Sequence, residues 1–373
     1  MLESRWIHRS VAGIASLAAV VAIGVTTLAA GPRPWSPPPC AGPPSGPAIA
    51  ARGAASAWFR QEPVLVDGTL AGSRVVLGAA AQGRPAVLAL DAESFVAGPF
   101  GDALLVGTDD GRTSRLSLVD VAAGCAWTLA ASDDVIRRGT VAPDGRTVFE
   151  IRVDRKTRAD LGIWRRSLGD AGVAERVLGP IEPDPRFGRT FTTGFTWSAD
   201  GRALAIRSCA EIACRVRVLE PATGRHRLVA DPSLGHVVGL DAEQIVAHAA
   251  CRGLPCPLVS VSLLDGSRSV LEPAAGLATM TTLADGTSRI VFERATGRLQ
   301  ATALDGSARQ DLGDLPAGQR LVPADDRSAS GAAVPAGWVT LAEGGRVAPD
   351  RAHATVVRRI PYGRTVELGE VTR

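Results

Sequence analysis

From residue 56 onward the apolar positions follow a period of two, and the helical period is absent. Runs such as RTVFEIRV (146–153), RALAIRS (202–208), PLVSVSL (257–263) and SRIVFER (288–294) gather β-branched and aliphatic residues between turn formers. That pattern predicts short, half-buried strands. The turns themselves repeat. Ala142-Pro143-Asp144-Gly145-Arg146, Ser198-Ala199-Asp200-Gly201-Arg202 and Ala284-Asp285-Gly286-Thr287 each stand directly before a strand. Asp-Gly suits a tight hairpin because glycine takes a positive φ and aspartate bonds its own backbone.

Equivalent strand starts fall near residues 72, 101, 144, 200, 241, 285 and 336. The spacing averages roughly 45 residues, the length of one propeller blade. An all-β chain is therefore expected, with residues 56–373 forming a β-propeller of seven blades, six or eight being the other counts the spacing allows. One blade cannot bury both faces of its sheet, whereas radial stacking closes the core and leaves few open edges. A β-sandwich is the rival architecture, and it gives no reason for so regular a repeat. Trp127, Trp164, Trp197 and Trp338 lie on strands and are expected to pack between blades.

TVAPDGRTVFEIRVD (140–154) and FTWSADGRALAIRS (195–208) resemble the WD-like propeller repeat of the TolB family. That repeat has an apolar residue, a Ser/Ala-Pro-Asp-Gly turn, a basic residue and then a strand. Ala199 stands where the second copy would carry proline, and residues 281–292 match only in part. The resemblance implies a propeller outside the cytoplasm that serves in protein–protein contact. It implies no catalytic residue, because the motif is structural.

The amino-terminal region has a different pattern. Val11 to Ala30 reads VAGIASLAAVVAIGVTTLAA, 20 residues without a charge. As a helix this is about 30 Å long, enough for one bilayer crossing. Arg5, His8 and Arg9 precede it, which keeps residues 1–10 in the cytoplasm and sends the remainder across. A cleaved signal peptide ending near Thr27-Leu28-Ala29 is the alternative. Residues 31–55 are dense in proline and glycine and read as a semi-rigid stalk. The expected location is a single-pass membrane protein with its propeller on the extracytoplasmic side.

Composition limits the partners. Lys+Arg 41 against Asp+Glu 38 leaves a net charge of +3, too little for a nucleic-acid footprint. Lys156 is the one lysine, so arginine supplies nearly all positive charge.

If strands A to D run from the axis outward, A–B and C–D turns share one face and B–C and D–A loops share the other. The tight Asp-Gly turns above, between A and B, and the glycine turns Leu168-Gly169-Asp170, Thr223-Gly224-Arg225, Asp265-Gly266-Ser267 and Asp305-Gly306-Ser307, between C and D, fall on the first face. The longer connections, Asp154 to Asp160, Gly179 to Arg189, Asp231 to Gly235 and Gly313 to Gly318, fall on the second. Long loops on a rigid scaffold are where specificity resides. Arg137, Arg138, Arg186 and Arg189 stand near that face and are the expected binding residues for an acidic extracytoplasmic protein or glycan.

Cys209/Cys214 and Cys251/Cys256 share a Cys-x4-Cys spacing at B–C loops of neighbouring blades. Residues flanking a four-residue hairpin loop face one another within disulfide reach. Two bridges are expected, a four-cysteine zinc site being the alternative, and an oxidising compartment favours bridges. Cys40 and Cys125 are left to tie the stalk to the second blade.

A search for chemistry is less productive. His226, His236 and His248 read as isolated strand histidines, and Asp109-Asp110 and Asp133-Asp134 as turn formers. No Gly-x-Ser-x-Gly elbow, Walker loop or dinucleotide fingerprint occurs. The inner strands offer mainly Thr192, Thr193, Thr279, Thr281, His236 and Arg320. That set is poor in carboxylates, so a binding or sensing module without a cofactor is expected, the alternative being a lyase or glycan hydrolase with its site at the central channel.

Overall fold

The computed structural model describes residues 39–40, 57–66, 69–79, 86–91, 94–100, 103–120, 123–168, 173–182, 190–210, 214–229, 231, 233–251, 253–283, 285–315, 318–321, 338–343 and 356–361. Among them are 25 strands and no α-helix. No helix among the described residues is long and apolar enough to cross a membrane. The expected span 11–30, the tail before it and nearly all of the stalk lie outside the described residues.

All pairings between named strands are antiparallel, and within every sheet the strands neighbour each other in chain order. The first sheet holds β1 (Ala57–Val66), β2 (Thr69–Ala79) and β3 (Ala86–Asp91). The second holds β4 (Phe95–Phe100), β5 (Ala103–Asp109), β6 (Ser114–Asp120) and β7 (Cys125–Ser132). The third holds β8 (Val135–Val141), β9 (Thr147–Val153), β10 (Asp160–Ser167) and β11 (Glu175–Leu178). The fourth holds β12 (Phe191–Trp197), β13 (Leu204–Cys209), β14 (Cys214–Leu219) and β15 (His226–Leu228).

A seven-stranded sheet follows, made of β16 (Leu234–Leu240), β17 (Gln244–Ala249), β18 (Cys256–Ser262), β19 (Arg268–Thr282), β20 (Ser288–Arg294), β21 (Arg298–Thr302) and β22 (Gln310–Asp314). The last sheet is β23 (Gln319–Leu321), β24 (Trp338–Glu343) and β25 (Val356–Pro361). β19 serves two units. Arg268 to Ala275 pair with β18, and Ala275 to Thr282 pair with β20. With β19 divided at Ala275, seven units of three or four strands follow one another along the chain.

The repeated turns fold alike because their hydrogen bonds are local. In the β8–β9 turn Gly145 (φ 64°) donates its N–H to Ala142 O at 2.8 Å, while Asp144 Oδ1 accepts from Arg146 N at 2.8 Å. Gly201 with Asp200, and Gly286 with Asp285, repeat the same two bonds. The positive φ is why glycine occupies this position each time.

The core lies between the sheets. Leu105, Leu116 and Leu118 of the second sheet meet Ile136, Val141 and Val148 of the third. Phe149, Ile151 and Ile163 then meet Phe195, Leu204 and Ile206, and Val216 and Val218 meet Val237, Ile245 and Val259. Similar seams join the fifth unit to the sixth and the sixth to β23. Each buried aliphatic side chain contributes ~1.5–3 kcal/mol, so stability resides in these seams more than in single hairpins. Trp197 lies edge-on to Phe149 at 5.5 Å and donates Nε1–H to Thr140 Oγ1 at 3.1 Å, locking the third sheet to the fourth. Trp127 packs in the seam before it, and Arg152 covers the Trp164 ring at 4.4 Å. The Trp338 side chain lies outside the described residues.

The first strands β4, β8, β12 and β16, then β19 and β23, touch in succession. This arrangement, sheets stacked face to face with their inner strands in a row, is a propeller-type scaffold. At its outer edge, Pro39 forms a parallel bridge to Ala126 of β7, and Cys40 N–H donates to Ala126 O at 3.1 Å. The Cys40–Cys125 disulfide fixes that contact.

Candidate functional site

In four consecutive inner strands the ladder to the second strand is interrupted near the loop face. The extra residues are Arg137 in β8, Thr193 in β12, Gly235-His236 in β16 and Gly276-Leu277 in β19. Bulges of this kind re-aim side chains. Here they fall at Arg137, Thr193 and Gly235-His236, in the half of each strand remote from the tight turn that follows it.

Two guanidinium groups converge over Gly194. The point where a Cβ would sit on Gly194 is 3.5 Å from Arg138 Nη1 and 3.6 Å from Arg207 Nη2. Arg207, on β13, is held by donating Nε–H to Thr193 Oγ1 at 3.2 Å and by a 3.1 Å contact from Nη1 to His236 Nδ1. The His236 and His248 rings lie 6.4 Å apart. His248 is 5% exposed, and its Nδ1 has no hydrogen-bond partner. Burial, and secondarily the neighbouring His236, push its pKa down to about 4, so the imidazole is neutral at pH 7.

The histidines thus depart from the sequence expectation: His236 and His248 are not isolated. They stand at equal distances from the β16–β17 turn at 241–243, and residues so placed in an antiparallel hairpin face each other. That symmetry was visible in the sequence. His226 lies apart on β15, exposed. Arg207 was missed altogether, because it becomes an inner residue only through the Thr193 bulge opposite it.

Disulfides brace both strands that carry the site. Cys209 and Cys214 are directly opposed where β13 passes to β14, and Thr193 Oγ1 lies 3.5 Å from Cys209 Sγ. Cys251 and Cys256 close the loop after His248. The latter pair is not the ladder pair that the shared spacing suggests. β17 ends at Ala249, so Cys251 lies beyond the ladder and the Cα atoms are 6.2 Å apart, against 3.9 Å for the first pair. No group of three or more His, Cys, Asp or Glu placed to hold a metal occurs among the described residues.

Of the four arginines expected to bind a partner, Arg137 and Arg138 are half-buried on β8. Arg186 and Arg189 lie outside the described residues. Among the described residues no carboxylate pairs with Arg137 or Arg138. The loop 154–159 is otherwise employed. Arg155 grips Asp109 of the second sheet through two bonds of 2.9 and 2.7 Å and donates to Asp133 O at 2.8 Å. This holds the Asp109 carboxyl below the usual carboxylate range. Asp110 caps its own turn, accepting from Thr113 and Arg112 N–H, and its pKa falls to about 2.

The turn face is not bare either. Short turns leave a cleft of about 940 Å³ between the third, fourth and fifth units, lined in part by Phe149, Trp197, Arg165, Arg202, Arg225 and Arg227. Its charges satisfy one another. Arg225 pairs with Glu220 at 2.9 Å, Arg202 with Asp200 at 3.8 Å, and Arg165 with Glu175. Arg227 donates to Leu263 O and Ala242 O.

No known protein family matches the chain, and no curated protein resembles it in sequence. Solved structures do resemble it in fold. A prolyl endopeptidase superposes with a TM-score of 0.51 at 15% identity, over 87% of this chain and 51% of that one. Prolyl oligopeptidase B from Galerina marginata gives 0.50 at 12% identity, over 83% and 50%. TolB from Acinetobacter baumannii gives 0.42 at 14% identity, over 69% and 64%. The chain spans about half the length of the two peptidases. At such identities the peptidase likenesses speak to the scaffold alone.

Proposed function

We propose that this chain is a membrane-tethered, extracytoplasmic propeller that binds an acidic protein or glycan partner through its loop face. The observation that carries the reading is the Cys40–Cys125 staple. Cys125 opens β7 at the turn-face end of the second sheet, and the parallel bridge sets the direction of the chain at Pro39. Chain entering Pro39 comes from the turn-face side. In this reading the stalk approaches from that side and leaves the loop face free for a partner. Three disulfides and no free cysteine suit an oxidising compartment.

Binding is favoured over catalysis because the buried carboxylates already serve neighbouring strands. Glu150 accepts from Arg152 at 2.6 Å and Arg166 at 3.0 Å, and Glu293 accepts from Arg320 Nε at 2.8 Å and Leu277 N at 3.3 Å. The His236–His248 pair and the buried Glu150 Oε2, which has no hydrogen-bond partner, favour the alternative, an enzyme acting at the channel.

The test is fractionation and partner capture with the full chain. The chain is expected in the membrane fraction, its propeller reachable from outside, with no thiol titratable before reduction. Captured partner is expected to be lost with Arg137→Glu/Arg138→Glu and kept with Arg202→Glu/Arg225→Glu. A soluble cytoplasmic chain with six free thiols would overturn the reading.

A further inference from the structure

We propose that Arg217, buried in the seam between the third and fourth sheets, is the receptor for a single carboxylate, and that its occupant is an aspartate or glutamate side chain of a protein partner. The inference rests on the binding reading above, and it names the residue and the chemical group that meet.

Arg217 is on β14 and reaches across the seam, where its Nη1–H donates at 2.7 Å to the carbonyl of Gly179, the residue that follows β11. It is 7% exposed. Its other two nitrogens, Nε and Nη2, are buried and have no hydrogen-bond partner. These two carry the parallel N–H bonds along one edge of the guanidinium, the edge that grips a carboxylate with two bonds at once. What is left over is therefore a complete fork. Buried polar atoms are nearly always bonded, and an exception calls for a ligand, an ion or water.

The charge of the fork also lacks a bonded partner. Burial brings the Arg217 pKa down to about 10, with Asp160 opposing the fall and Arg215 adding to it, so the group is a cation at pH 7. Asp160 is the acid whose charge reaches it, but that carboxylate is committed. Its Oδ1 accepts from Gly162 N at 2.7 Å, and its Oδ2 accepts from Thr192 N and Oγ1 at 2.7 and 2.6 Å. Among the described residues no carboxylate is bonded to Arg217. A buried cation without a bonded counter-charge is costly, and the cost is relieved when a counter-charge arrives from outside. Gly179 is half-buried, and a Cβ added to it would meet nothing within 4 Å. The backbone that Arg217 holds thus borders open space where the long 179–189 connection begins. A fork this deep is reached by a carboxylate on a slender chain, whereas one fixed to a pyranose ring brings the bulk of the ring with it. That favours an acidic side chain over a sugar acid.

The experiment is thermal unfolding of the full chain in detergent, at matched ionic strength, with rising concentrations of N-acetyl-glutamate amide, D-glucuronate or inorganic phosphate. The glutamate probe is expected to raise the transition temperature in the saturable way that binding to the folded chain requires, with Kd below about 10 mM. Arg217→Lys keeps the charge but has no fork, and is expected to weaken the response at least about tenfold. Arg217→Met is expected to abolish it, and Arg202→Gln on the turn face to leave it unchanged. The proposal is overturned if no probe acts saturably, which would leave the fork to water alone. It is equally overturned if glucuronate or phosphate acts at lower concentration than the glutamate probe, or if Arg217→Lys and Arg217→Met, shown folded by their own cooperative transitions, respond as the parent does. Partner capture that survives Arg217→Lys, with no response to the probes, would remove this inference and leave the proposed function. A carboxylate response in a cytoplasmic, fully reduced chain would do the reverse.

Discussion

The two faces of the scaffold handle charge in opposite ways. On the turn face several arginines pair with an acid a few residues away: Arg225 with Glu220 and Arg202 with Asp200. Sequence neighbours in a turn are forced together, so the cleft there neutralises itself. On the loop face, Arg138 and Arg207 come from different sheets and converge over Gly194. Interactions that a turn makes are settled locally and leave nothing for a partner. Those made between sheets depend on how the apolar seams set one sheet against the next.

The comparison can be strained most by cutting the staple on the turn-face rim. Cys40 and Cys125 are 85 residues apart. In the chain-entropy account a loop of that size contributes about 4–5 kcal/mol, whereas the short Cys209–Cys214 ring contributes about 2. Replacing Cys40 and Cys125 together by serine is expected to lower the urea midpoint more than replacing Cys209 and Cys214. Equal losses would show that the staple does not order the closed loop.

Next in size is a buried carboxylate pair that joins the second sheet to the third. Asp109 is 7% exposed and gripped by Arg155. Arg155→Ala leaves that carboxylate buried and unpaired and is expected to cost about 3 kcal/mol in denaturant unfolding. A loss below about 1 kcal/mol would place this pair with ordinary surface bridges.

His248 gives the faces different responses to acid. Its folded pKa, about 4, lies below the unfolded value near 6.5. Between these values the unfolded chain binds a proton that the folded chain does not, so stability falls as pH drops through that window. The expected decline is roughly 2–3 kcal/mol, removed in His248→Gln. A pH-stability curve with the same slope in the variant would assign the effect elsewhere.

The smallest expected effect is on the turn face. Arg225 is largely exposed, and Arg225→Ala is expected to change stability by less than about 0.5 kcal/mol. A larger loss would mean the cleft's pairs are structural and that the contrast between faces is overdrawn.

Several elements were readable from residues alone. Thr147–Val153, Leu204–Cys209 and Ser288–Arg294 are strands where the alternation predicts them, and the Asp-Gly turns before them fold as their chemistry requires. β19 was not readable. Glu272-Pro273-Ala274-Ala275-Gly276 has the composition of a break, yet the strand runs through it. The ladder to β18 skips from Glu272 to Ala275, so Pro273 is never asked for the hydrogen bond it cannot give. Arg137 and Arg138 were found by their nearness to the long loops, while Arg207 and His248 were not.

What the sequence determined by itself is most of the regular strands, the tight turns, the repeat length and the opposition of Cys209 to Cys214. All of these depend on interactions spanning a few residues, which a linear pattern records. Tertiary structure alone decided that Arg138 meets Arg207, 69 positions later, and that His248 is stripped of water beside His236. Those outcomes depend on where bulges fall and how apolar seams set one sheet against the next. No local spacing encodes either.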